Sequence, residues 1–124
     1  MSRLVLEPDP KNPEFYRLTV QSHLWAWSIR TTGFPVYALK ADGSAVLIGS
    51  TSKRQQTYMV PADAVAIVRT YITTLCNHAF YVLPLDSKAE YEVRGVCGYD
   101  TSRLPQQVRE PFARFLRSYL AGDP

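Results

Sequence analysis

Cys97, followed by Gly98, Tyr99 and Asp100, is the side chain with the most reactive chemistry open to it. A thiol becomes a nucleophile when a base and an electropositive setting lower its pKa, and His23 or His78 would have to supply that base. No spacing in the chain fixes such a meeting, so the expected role of Cys97 is a buried thiol closing a strand. Cys76, His78, Cys97 and His23 are enough soft donors to count toward zinc. A Cys-x-His pair lacks the paired spacing of zinc modules, however, and no metal site is expected. Glu90 and Glu92 share one side of an alternating stretch, as paired acid–base carboxylates do. Lys88 and Arg94 flank them, which points to a solvated outer face. Gly33, Gly43, Gly49, Gly95 and Gly98 are spaced as turn residues, and none opens a helix as a phosphate-cradling loop requires. The sequence therefore predicts no cofactor and no enzyme.

Residues suited to gripping a larger partner are easier to find. Lys53 and Arg54, with Gln55, Gln56 and Tyr58 beside them, form a basic, amide-rich loop. Trp25 and Trp27 share one face if their segment is a strand, opposite Leu24 and Ala26. Arg94 and Tyr99 add a cation and an aromatic ring near the end of the chain's last strand. Aromatic residues and arginine are the types that protein interfaces use at their centres. The predicted partner-binding set is thus Trp25, Trp27, Lys53, Arg54, Tyr58, Arg94 and Tyr99. The predicted function is docking on a protein partner, as an inhibitor, adaptor or immunity-type factor does. The alternative is a nucleic-acid-binding domain, in which the basic loop meets phosphates and the tryptophans stack on bases. A homodimer is a further expectation, because exposed sheet edges and spare aromatics favour self-association.

The elements that must hold these side chains follow from periodicity. Residues 61–79 place Ala64, Val65, Val68, Tyr71, Ile72, Leu75, Cys76 and Ala79 at three- and four-residue steps. With Pro61 at a first helical position and Asp63 in a first turn, that spacing predicts an amphipathic helix. Residues 105–120 predict a second helix, burying Val108, Phe112, Phe115, Leu116 and Tyr119 and ending at Gly122. Pro111 fits there only if the helix begins near Arg109 or its first turn is irregular.

Strands are expected at Arg3–Glu7, at Val36–Lys40 and Ala45–Gly49 around a two-residue Asp42-Gly43 turn, at Phe80–Leu85, and at Lys88–Arg94. Pro8, Pro10 and Pro13 suggest a stiff connection. Residues 14–32 read as two strands, with a helix the competing reading. The fold expected is α+β: an antiparallel sheet of hairpins with two helices, 61–79 and 105–120, on one face. Tyr37, Leu39, Asp42, Ala45 and Pro61 recur at a constant offset as Tyr81, Leu83, Asp86, Ala89 and Pro105, which leaves a ββα duplication open.

Bulk properties bound all of this. A chain of 124 residues with 46% hydrophobic content fits one domain and buries roughly two-thirds of its unfolded surface. The net charge of +3 is mildly basic and is not gathered into a run. Two cysteines, no leader-like opening and no apolar run approaching membrane length predict a cytoplasmic protein without a membrane partner.

Overall fold

A computed structural model describes residues 4–20, 33–51, 57–87 and 89–122. Among these, the chain forms strands β1 (Leu4–Asp9), β2 (Asn12–Val20), β3 (Pro35–Lys40), β4 (Ala45–Ser50), β5 (Thr57–Pro61), β6 (Ala64–Tyr71), β7 (Ala79–Pro84) and β8 (Tyr91–Arg94), then helix α1 (Gln106–Leu120). The strands make two antiparallel sheets, one of three strands in the order β1-β2-β5 and one of five in the order β4-β3-β6-β7-β8. The α+β class stands.

The five-stranded sheet is covered on both faces, by different things. On one face Leu39, Ala66, Val68, Phe80, Val82 and Val93 meet Leu104, Val108, Phe112, Phe115 and Leu116 of α1 and its approach. Phe80 is the hub, with its ring edge-on to Phe112, Phe115 and Tyr119 at 5.5–5.8 Å. Such pairs add to the roughly 1.5–3 kcal/mol that burying each large apolar side chain supplies. On the other face Val36, Ala38, Ile67 and Leu83 pack against Leu18, Tyr58 and Val60 of the smaller sheet.

The predicted helix over 61–79 is not there. Pro61 ends β5, Ala62 and Asp63 turn the corner, and β6 follows as the middle strand of the larger sheet. The stretch Ala64–Tyr71 is apolar at nearly every position, so a helical stripe can be drawn through it as easily as an alternation. Burial on both faces of a central strand uses every one of those residues, whereas a surface helix would leave half of them in water. Asp63 caps nothing; its carboxylate meets Lys40 at 3.4 Å.

With that helix goes the ββα duplication: the unit containing β3 and β4 is followed by strands, and the unit containing β7 and β8 by a helix. The C-terminal helix is present, but it begins at Gln106 instead of near Arg109, so Pro111 lies inside it. The missing N–H there leaves the Gln107 carbonyl without its helical donor.

Smaller differences have local causes. The proline-rich stretch after Glu7 is no spacer, because β1 and β2 pair through it and turn at Pro10-Lys11. The β3–β4 loop spans four residues, with Lys40 N–H donating to Ser44 O (2.9 Å) and Gly43 N–H to Lys40 O (3.0 Å). Asp42 accepts from the backbone and hydroxyl of Ser44, and Gly43 takes φ +89°. The last strand begins only at Tyr91, leaving Ala89 exposed. Residues 14–20 form a strand as expected; the rest of the ambiguous segment, 21–32, lies outside the described residues. No helix among the described residues is long and apolar enough to cross a membrane.

Candidate functional site

The register brings an unusual row together on the face opposite α1. Val36 on β3, Arg69 on β6, Tyr81 on β7 and Glu92 on β8 are cross-strand neighbours, with Tyr71, Ala79 and Arg94 forming the next row. Arg69 follows Ile67 on this face and precedes Tyr71, so it falls between the inter-sheet core and a smaller cluster of Tyr71, Cys76 and Ala79. Its side chain has 0% exposure. The guanidinium carbon lies 5.2 Å from the ring centre of Tyr81, 5.7 Å from Phe34 and 5.8 Å from Tyr71. Aromatic faces attract a cation, but they do not replace its hydrogen bonds. Nε, Nη1 and Nη2 of Arg69 have no hydrogen-bond partner among the described residues, and neither has the buried Tyr71 hydroxyl.

Burial lowers the Arg69 pKa to about 10, with nearby Tyr81 and Glu90 opposing the shift; the group stays charged at neutral pH. Burial raises Glu90 to about 8 against the pull of Arg69. Tyr58 is raised to about 12, again by burial. Tyr81 is held above its ordinary range by burial and then by Glu92. Glu92 itself pairs with Arg94. Arg94 lies beside the Tyr71 hydroxyl and Glu92, and both raise its pKa, although its approach to Tyr71 lacks hydrogen-bonding geometry. Tyr71 and Tyr81 stack at 4.4 Å.

Beyond this row the same end of the sheet carries two loops, residues 72–78 after β6 and 95–99 after β8. The Tyr99 hydroxyl donates to His78 O at 3.1 Å and ties them together, while Gly95 and Tyr99 form a bridge within the second loop. The Tyr99 ring lies over Gly95 so closely that no Cβ fits there. Ile72 is 65% exposed, Leu75 73% and Val96 65%, three aliphatic side chains on the two loops that the Tyr99–His78 hydrogen bond joins.

The predicted contact residues are thereby separated. Trp25, Trp27, Lys53 and Arg54 lie outside the described residues. Tyr58 is no surface residue: it is buried between the sheets, its hydroxyl donating to Ser50 O at 3.0 Å. Arg94 is exposed and Tyr99 half-buried, both at the loop end just described. Cys97 is exposed, where a buried thiol was expected, and Cys76 is buried, in a loop instead of a helix. The His78 ring packs edge-on to Tyr119 at 5.5 Å. No group of three or more His, Cys, Asp or Glu among the described residues is placed to hold a metal ion. Glu90 is half-buried and not on a solvated face.

Arg69 was not visible as a site from the sequence. The signal that marks it is a lone arginine in the apolar run of residues 64–71, with no acid within that strand. Comparison of the chain with known protein families, with curated proteins and with solved structures returned no match.

Proposed function

We infer that this protein is a non-enzymatic binding protein that docks on a protein partner through the end of the larger sheet. The observation that carries this reading is the exposure of Ile72, Leu75 and Val96 on two loops that Tyr99 and His78 fasten together. Scattered exposed aliphatics are ordinary, whereas several on adjoining, hydrogen-bonded loops are the kind of apolar surface that partners cover. Arg94 and Tyr99, both expected as contact residues, border the same end and supply the polar rim such a patch needs.

The exposed Cys97 thiol in the second loop offers a direct test, with buried Cys76 left unlabelled. A photo-crosslinker attached to Cys97 should capture a discrete protein, or a second copy of this chain, and Leu75→Glu with Val96→Glu should abolish the capture. Capture that survives those substitutions in a folded protein, or no discrete product, removes the loop end as the docking surface.

A further inference from the structure

We propose that Arg69 anchors a binding site for a small monocarboxylate, which the protein encloses between its sheet face and the rings of Phe34, Tyr71 and Tyr81. The argument begins with an inversion. Arg17, Arg94, Arg114 and Arg117, all with solvent access, have acidic partners in Glu7, Glu92 and Glu110. Arg69, wholly buried and most in need of one, has none among the described residues. A guanidinium carries five N–H donors in a planar fork that matches the two oxygens of a carboxylate. Tyr71, whose ring is one of the three around the guanidinium, carries a buried hydroxyl that also lacks a hydrogen-bond partner among the described residues.

The nearby internal acids do not fill this role. Glu92 is committed to Arg94. Glu90 is half-buried and makes no ion pair with Arg69, and its burial favours the protonated form. A single buried cation also limits the charge of a ligand: it balances a monoanion and would leave the second charge of a dianion such as phosphate uncompensated. Complete burial limits its size. A carboxylate on a folded partner would have to bring its backbone into the sheet interior, whereas a small free acid needs only a local displacement of the rings of Phe34, Tyr71 and Tyr81. This inference is independent of the docking surface, and either reading can fail without the other.

The test follows the Arg69 Nε–H resonance and the thermal midpoint of ¹⁵N-labelled protein titrated with sodium acetate. Acetamide, inorganic phosphate and sodium chloride at equal ionic strength serve as comparisons. The expected result is a saturable shift with acetate, a midpoint that climbs with acetate concentration, and neither effect with the comparisons. Arg69→Met should abolish the midpoint gain, and Tyr71→Phe should weaken acetate by roughly tenfold, the equivalent of one lost charge-assisted hydrogen bond. An Arg69 resonance that acetate leaves in place overturns the proposal. So does an equal response to acetamide or phosphate, or a midpoint gain that persists in Arg69→Met.

Discussion

Arg69 and Tyr81 are cross-strand neighbours on adjacent strands, and the guanidinium carbon of the first lies 5.2 Å from the ring centre of the second. The sheet thus stacks a buried cation on an aromatic ring where an apolar pair would ordinarily sit. Burying an ion costs several kcal/mol, and an aromatic face returns about 2 kcal/mol or somewhat more.

Arg69→Met is accordingly expected to stabilise the fold, by roughly 1–4 kcal/mol, since an apolar chain of similar length removes an unpaired buried charge. Urea unfolding of the two proteins in the absence of carboxylates measures this. A Met variant less stable than the parent would mean that the guanidinium is well partnered in solution.

Glu90 gives the stability a distinct pH dependence. Its pKa rises from 4.5 to about 8 on folding, so the folded state holds a proton that the unfolded chain has released. Stability is therefore fully present below pH 4.5 as far as this group is concerned, and it declines as pH rises through the window up to about 8. Glu90→Gln should flatten that decline, and a variant whose pH–stability curve runs parallel to the parent's would refute the assignment.

Phe112 joins the helix to the sheet through Phe80 and is completely buried. Phe112→Ala should cost about 3–5 kcal/mol, visible as a lower urea midpoint with loss of helical circular dichroism. A cost under about 1 kcal/mol would mean that the helix does not close this core.

Gly43 permits the close approach of the β3–β4 turn to the helix. Its φ is +89°, and an added Cβ would fall 2.5 Å from the Cβ of Arg114 and 3.3 Å from Pro111 O. Gly43→Ala should therefore destabilise by roughly 1–3 kcal/mol, measured by thermal unfolding. Relief by Arg114→Gly in the double variant would locate the clash, and strict additivity would deny it.

Leu75→Ser and Val96→Ser at the loop end should change stability by no more than about 0.5 kcal/mol, because both side chains already face water. Their effect belongs in partner capture. Substantial unfolding of either variant would show that these side chains pack inside the molecule.

What the amino-acid sequence determined is whatever short-range chemistry specifies. Asp42-Gly43 set the β3–β4 turn, the unbroken apolar run Phe80–Leu85 announced a strand covered on both faces, and Val108, Phe112, Phe115 and Leu116 marked the buried stripe of α1. The turn pair and the helical stripe each suit one element, and the run 80–85 is too short, with Pro84 within it, for a helix. Residues 64–71 are different, because an almost wholly apolar stretch satisfies the helical and extended periods alike. Only pairing with β3 on one side and β7 on the other decided in favour of strand, by burying both faces at once. The same pairing carried Arg69 into the interior. Its burial, its contacts with Phe34 and Tyr81 and its missing partner involve segments distant in sequence, so no local pattern encodes them.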